Sequence, residues 1–115
     1  MHRILSFKYA FEGFAGAVKE EPNLKIHLCV AMLVIILGLL LGISRTDWII
    51  VTILIGLVIS LELTNTAIET VVDSFITTEH PGAKMAKDIS AGAVLVVSVC
   101  AAIVGVIIFL PYITH

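Results

Sequence analysis

Four polar side chains recur at helical spacing within one stretch of the chain: Glu62, Asn65, Glu69 and Asp73. Because a helix turns about 100° per residue, their spacing places all four in one narrow stripe. The backbones of Glu62 and Glu69 would lie roughly 10 Å apart along the axis, which is too far for both to bind one ion. We therefore expect separate roles, with Glu62 nearer the hydrocarbon and Glu69 nearer water.

The two glutamates of the stripe suit different parts of one reaction. Glu62 is placed to act as a general base that takes a proton from an alcohol on a lipid headgroup. Mg²⁺ prefers one or two protein carboxylates together with phosphate oxygens and waters. Glu69, with either Glu21 or Glu20, would supply these carboxylates. The alternative is that the stripe is a solvated helix end without a function.

Further polar residues follow the stripe. Lys87 offers a positive charge for a phosphate, and Glu79 or His80 would contact other parts of a nucleotide. Positioning and charge neutralisation are most of what phosphoryl transfer requires. The sequence has no G-x-x-x-x-G-K-[ST] loop and no G-x-G-x-x-G motif, so it lacks an ordinary soluble nucleotide-binding fold. Any nucleotide site must be built from helices and loops at the membrane surface.

The composition is typical of an integral membrane protein. Of the 115 residues, 59% are hydrophobic and 14% are charged. This length allows one domain, residues 1–115, with very few spans. No basic patch is present that would follow a nucleic acid backbone. Cys29 and Cys100 lie far apart in apolar segments without metal-ligand spacing, so we expect two buried apolar side chains.

Three uncharged segments predict three membrane spans. The second segment, from Trp48 to Leu61, has 14 residues, or about 21 Å of helix, and must continue through Glu62 to cross a core of ~30 Å. In the first span, Lys25 and His27 are expected to extend toward the headgroups. A carboxylate at the membrane boundary is by default a functional group. The expected spans are residues 25–43, 48–72 and 89–111, with a loop over 73–88 and Pro111 ending the third span.

An amphipathic helix is expected over residues 3–20, either on the membrane surface or docked against the spans. Pro22 disfavours helical geometry at Glu21, so this helix should end or bend there. Basic residues precede span one and lie between spans two and three, whereas the short turn contains only Arg45. The positive-inside rule therefore predicts a cytoplasmic amino terminus and an external carboxyl terminus. All candidate site residues then face the cytoplasm.

Two sequence motifs resemble those of a known family. Residues 62–73, ELTNTAIETVVD, match the pattern E-x-x-N-[ST]-[SA]-x-E-x-x-x-D without a gap, and residues 86–94, AKDISAGAV, provide a second match. The chain thus resembles the small prokaryotic integral membrane lipid kinases, which include diacylglycerol kinase and undecaprenol kinase. The resemblance covers nearly the whole chain. It implies an ATP- and Mg²⁺-dependent kinase of the bacterial cytoplasmic membrane, all-α, with three spans and a surface helix, assembled as a homotrimer with sites near protomer boundaries.

The resemblance also implies roles for individual residues. Glu62 corresponds to the catalytic base, Asn65 to a residue that positions the reacting groups, and Glu21 and Glu69 to the metal ligands. The nucleotide contacts correspond to Tyr9, Lys87 and Asp88, with Glu79 and His80 as further candidates. A basic contact near the amino terminus falls on His2 or Arg3. Asp73 is expected to have a structural role, either capping the helix or pairing with the loop lysines.

The acceptor is predicted from one short segment. Residues 20–27, EEPNLKIH, resemble the Gram-positive members that are similar to undecaprenol kinases. Undecaprenol is therefore the expected acceptor, and diacylglycerol is the alternative. A second alternative is a non-enzymatic membrane subunit or scaffold in which the acidic stripe only pairs helices. An ion pathway would need acids inside more than one span, and the interiors of spans one and three have none.

Overall fold

The computed structural model describes residues 3–114, with side chains from Ser6 onwards. The described part forms four helices and no strand: α1 Arg3–Glu20, α2 Pro22–Leu41, α3 Arg45–Phe75 and α4 Pro81–Ile113. The predicted fold class is confirmed, because α2, α3 and α4 are each long and apolar enough to cross a membrane. Of the two candidates for the amino-terminal basic contact, His2 and the side chain of Arg3 both lie outside the described residues.

The junction between α1 and α2 places Glu21 at a helix start. Its backbone is extended, with φ −107° and ψ 108°, and Pro22 begins α2. Proline is well tolerated at a first helical position, because its missing N–H would have no partner there. Helix α2 therefore starts three residues before the expected span, and His27 lies within its first two turns. Glu21 is thus fixed at the corner between the two helices.

Helices α3 and α4 are longer than the hydrocarbon core requires. Their 31 and 33 residues correspond to about 46 and 50 Å, against ~30 Å for the core. The expected loop over 73–88 is wrong in extent, since α3 continues to Phe75 and α4 begins at Pro81. Pro111 also lies inside α4 rather than ending it. The apolar segments end at the first charged residues, whereas the helices continue beyond those charges.

A tight turn connects α2 to α3 and receives the end of α4. Gly42 has φ 63°, which permits a left-handed cap, and its N–H donates to the carbonyl of Gly38 over 2.9 Å. The Ser44 side chain accepts from the N–H of Asp47 at the start of α3. The Tyr112 hydroxyl donates to the Asp47 carboxylate over 2.6 Å and accepts from the Ser44 N–H over 2.9 Å. The carboxyl-terminal end of α4 is thereby fixed to the turn.

Apart from Leu24, which is fully buried at the start of α2, the buried side chains form two groups at different positions along the helix bundle. The apolar group lies near the α2–α3 turn and contains Ile43, Val51, Ile108 and Phe109. The polar group lies farther along α3 and on the first half of α4, and contains Glu62, Asn65 and Ser90. Apolar packing thus holds one end of the helix bundle. The other end is held by polar contacts, and it is where the sequence predicts the site.

Most of the spanning surface is exposed in the single chain. Only 11 to 17% of the most apolar window in each of the three spanning helices is buried. Cys29 and Cys100 are exposed, so the expectation of two buried cysteines is wrong. The sequence could not show this, because segments that are apolar on every face do not reveal which face packs. The exposed faces are suited to contact lipid or further copies of the chain.

Candidate active site

Glu62 is the most buried charged side chain in the described part of the protein, with 2% of its surface exposed. Its Oε2 atom lies 3.8 Å from Nε2 of His27, which α2 contributes. His27 therefore faces the carboxylate, and only 21% of its side chain is exposed. Glu21 and Glu69 also lie near enough to interact electrostatically with Glu62. Glu62 and Glu69 thus share the acidic face of α3, and Glu21 lies at the α1–α2 corner.

Asn65 is the centre of a hydrogen-bonded chain between α3 and α4. Its Nδ2 donates to Oε1 of Glu69 over 2.7 Å, and its Oδ1 accepts from the Ser90 hydroxyl over 2.6 Å. Asn65 and Ser90 are 6% and 9% exposed. Buried polar groups carry a cost unless they are paired, and here both ends of the amide have partners. These two hydrogen bonds therefore hold the carboxylate of Glu69 from one side.

Lys87 connects α4 to the end of the acidic stripe. Its Nζ lies 2.8 Å from Oδ1 of Asp73. This hydrogen bond raises the pKa of Lys87, which precedes the uncharged segment of α4, so the lysine is charged at neutral pH. Glu69 and Asp88 add a weaker electrostatic attraction. Asp73 thus pairs with a lysine, which is one of the two structural roles expected for it.

The remaining predicted site residues lie outside this cluster. Asp88 pairs with Lys84 on its own helix over 2.6 Å. His80 caps α4, because its Nδ1 accepts from the N–H of Ala83 over 3.1 Å. Tyr9 on α1 and Glu79 in the α3–α4 loop are exposed. Within residues 3–114, the structure therefore places Glu62, Asn65, Glu69 and Lys87 along α3 and α4, with Glu21 near enough to interact electrostatically with Glu62. In the same range it shows no hydrogen bond or ion pair between these residues and Tyr9, Glu79, His80 or Asp88.

The carboxylates fit a magnesium ion that arrives with a nucleotide. No group of three or more His, Cys, Asp or Glu side chains in the described part is arranged to hold a metal by itself. Magnesium usually needs only one or two carboxylates, since waters and substrate phosphates complete its octahedral shell. Glu69, which Asn65 holds, and Glu21, at the helix corner, supply that number. The donor set therefore suits a metal bound jointly by protein and phosphate.

An apolar groove lies between α2, α3 and α4 and includes His27. Its volume is about 600 Å³, and aliphatic side chains from all three helices form almost all of its lining. The lining includes Val34 on α2, Val58 on α3 and Phe109 on α4. The groove thus extends along the spanning segments and includes the residue that contacts Glu62. A long apolar chain in this groove would have its polar end beside the carboxylate.

Sequence reasoning missed two contacts of this site. The sequence predicts that His27 extends toward the headgroups, and it contains Ser90 only as part of the motif over residues 86–94. A weak signal existed for each, because both are polar residues at the start of an otherwise apolar segment. Which α3 residue they meet depends on the rotation and offset of packed helices, and spacing within one helix does not give this.

The fold and the site together define the class of protein. It is an integral membrane enzyme in which a buried carboxylate lies between an apolar groove and a cluster of charged groups. Residues 8–109 match the model of the family described as prokaryotic diacylglycerol kinase. The chain belongs to this family, and the predicted class of membrane lipid kinase is confirmed.

Three relatives show the same family relationship. The chain is 45% identical to an undecaprenol kinase of Bacillus subtilis over 106 residues, covering 92% of this chain and 86% of the relative. It is 38% identical to a diacylglycerol kinase of Synechocystis over 94% of this chain and 62% of that protein. It is 35% identical to a diacylglycerol kinase of Haemophilus influenzae over 92% of this chain and 87% of that protein. A kinase family implies a nucleotide as the phosphoryl donor.

Proposed function

We propose that the protein is an ATP- and Mg²⁺-dependent kinase that phosphorylates the hydroxyl of undecaprenol. The observation that carries this proposal is the position of Glu62, which is buried beside a residue of the apolar groove and is linked electrostatically to Glu21 and Glu69. The groove suits the tail of a lipid, and the carboxylates with Lys87 suit a magnesium nucleotide. The reacting hydroxyl would meet the phosphate between them.

The chemistry is the in-line transfer of one phosphoryl group. The lipid oxygen forms a bond to the γ-phosphorus, the bond to the ADP oxygen breaks, and the hydroxyl proton goes to a carboxylate oxygen of Glu62. Bound Mg²⁺ would neutralise charge on the phosphates, with Glu21 and Glu69 as its protein ligands. Asn65 keeps Glu69 in place through its hydrogen bond. Lys87 supplies positive charge for a phosphate.

The outer residues complete the nucleotide site in this proposal. Tyr9 would contribute from α1, Glu79 and His80 from the α3–α4 loop, and Asp88 from the start of α4. The site then faces the cytoplasm, where ATP is available, with the amino terminus inside and the carboxyl terminus outside. We also propose the homotrimer that the family resemblance implies. Its support is the large apolar surface that each single chain leaves exposed.

The acceptor is tested by comparing the turnover of two lipids. Undecaprenol is favoured because the relative with 45% identity is an undecaprenol kinase. Diacylglycerol is the second candidate, because two further relatives carry that activity in their names. Purified protein in micelles would be given radiolabelled ATP and each lipid in turn. We expect faster turnover of undecaprenol, and equal or greater turnover of diacylglycerol would contradict this choice.

The role of Glu62 is tested by Glu62→Gln, which keeps the shape of the side chain and removes the base. We expect turnover to fall by about 10²-fold or more, since general base catalysis typically contributes that much. The control is Glu12→Gln on α1, where the side chain is 59% exposed. Circular dichroism and gel filtration would show that both variants remain folded and assembled. Unchanged turnover of Glu62→Gln would exclude Glu62 as the general base, whereas a non-enzymatic scaffold would show no turnover even in the wild-type protein.

A further inference from the structure

We propose that Ser90 is a positioning residue that fixes the amide of Asn65 and, through it, the cation-binding carboxylate of Glu69. This inference rests on the proposed function, because Glu69 is a cation ligand only in that proposal. The observation that carries it is the continuous chain Ser90–Asn65–Glu69, in which the hydrogen bonds measure 2.6 and 2.7 Å. Ser90 itself touches neither substrate nor metal.

An asparagine amide has two ends of similar shape and opposite hydrogen-bonding character. The NH₂ group stabilises the Glu69 carboxylate, whereas the carbonyl oxygen in the same place would repel it. An ionised carboxylate can only accept, so Glu69 faces the NH₂ end of Asn65 and the carbonyl end faces Ser90. The Ser90 hydroxyl, which can donate or accept, donates to this carbonyl and holds the amide in that orientation. Because Asn65 is only 6% exposed, water does not easily replace a missing donor.

One carboxylate oxygen is sufficient for this contact. Asn65 binds Oε1 of Glu69, which leaves Oε2 for a cation. A carboxylate that is already ordered loses less conformational freedom on binding, so the ordering raises affinity for the cation. Without the serine, Glu69 must be ordered at the time of binding.

Ser90 also joins the two charged parts of the site. Its hydroxyl lies 3.0 Å from the backbone carbonyl of Lys87, one helical turn earlier on α4. The residue therefore sets the position of Asn65 relative to the turn of α4 that presents the phosphate-binding lysine. The single hydroxyl proton is shared between this carbonyl and Oδ1 of Asn65, and the contact with Asn65 is the shorter of the two.

The chain offers a direct spectroscopic probe of the amide. It contains two asparagines, Asn23 and Asn65, and no glutamine, so only two side-chain NH₂ pairs exist. With ¹⁵N-asparagine labelling in micelles, we expect the Asn65 pair to be protected from hydrogen exchange in the wild-type protein. In Ser90→Ala this protection should be lost and the pair should shift, while Asn23 stays unchanged. An unprotected Asn65 pair in the wild type would overturn the proposal without any variant.

Cation affinity provides the second readout. Mn²⁺ would be titrated in the presence of a non-hydrolysable ATP analogue, with free Mn²⁺ measured by electron paramagnetic resonance. The loss of one buried hydrogen bond corresponds to a change of about 3- to 10-fold in an equilibrium constant. We therefore expect Ser90→Ala to weaken Mn²⁺ binding by that factor. Ser90→Thr keeps the hydroxyl and should restore the wild-type affinity. Unchanged affinity in Ser90→Ala would overturn the proposal.

Ser98 is the matched control on the same helix. Its hydroxyl is also buried, but it has no hydrogen-bond partner among residues 3–114. Ser98→Ala should leave both the Asn65 signals and the Mn²⁺ affinity unchanged, and an equal effect there would show a general packing change instead. Failure of the proposed function is separate. It would appear as a wild-type protein that phosphorylates neither lipid, whatever Ser90→Ala does to the amide.

Discussion

Lys84 and Lys87 are one helical turn apart but have carboxylate partners on different helices. Lys84 pairs with Asp88 within α4, whereas Lys87 pairs with Asp73 on α3. Exposed ion pairs contribute little to stability, so the pairing of Lys87 is better understood through its position than through its energy. Asp73 holds Lys87 near the carboxylates of the site. A bound phosphate could there replace Asp73 as the partner of the lysine.

This difference predicts different effects for two similar substitutions. Lys87→Ala should raise the KM for ATP by about 10-fold or more, because a charge-assisted contact with phosphate is lost. Lys84→Ala is the matched control, and its KM should stay within about twofold, since Lys84 belongs to a pair on the outer side of α4. Steady-state kinetics at saturating lipid would measure both. Equal KM values for the two variants would show that Lys87 does not bind the nucleotide.

At the level of the helices, the sequence predicts what lies within one helix better than what lies between helices. The acidic stripe on α3 was predictable because its residues share one helix and follow its period. The contacts of Asn65 with Ser90 and of Glu62 with His27 were not, because they depend on how three helices are rotated against each other. The position of Tyr9 relative to the site is unpredictable for the same reason, since it depends on how α1 packs against the other helices.

One close contact between α2 and α3 is specific enough to test. A methyl group on Gly38 would lie 2.8 Å from Cη2 of Trp48 and 3.2 Å from Cδ1 of Ile43. Gly38→Ala should therefore destabilise the protein by about 1–3 kcal/mol through overpacking. In Gly56→Ala, the methyl group would meet nothing within 4 Å among the residues that the structure describes. That control should be neutral or slightly stabilising, because alanine favours a helix interior.

Thermal unfolding in micelles would compare these two variants. Trp48 is the only tryptophan in the chain and lies at the contact itself, so its fluorescence reports the α2–α3 packing directly. We expect a lower Tm for Gly38→Ala than for Gly56→Ala. The same Tm in both would mean that Trp48 can move aside at no cost, and that this contact does not hold the two helices together.

The whole molecule has two ends of different character. Tyr112, Asp47 and the apolar cluster hold the end that contains the α2–α3 turn. The carboxylates and Lys87 occupy the other end, where α3 and α4 are long enough to extend beyond the hydrocarbon. A kinase of this design needs its charged end on the side that contains nucleotide. The orientation in the membrane is therefore part of the proposed function.

Accessible cysteines would test this orientation. Lys84→Cys and Thr114→Cys would be made in a Cys29→Ala, Cys100→Ala background, since both substituted positions are exposed. The basic residues that precede the first span and lie between the second and third favour a cytoplasmic position for residue 84 and an external one for residue 114. A membrane-impermeant maleimide should label Thr114→Cys in intact cells and Lys84→Cys only after permeabilisation. Labelling of Lys84→Cys in intact cells would place the site outside, away from cellular ATP, and would contradict the proposed kinase.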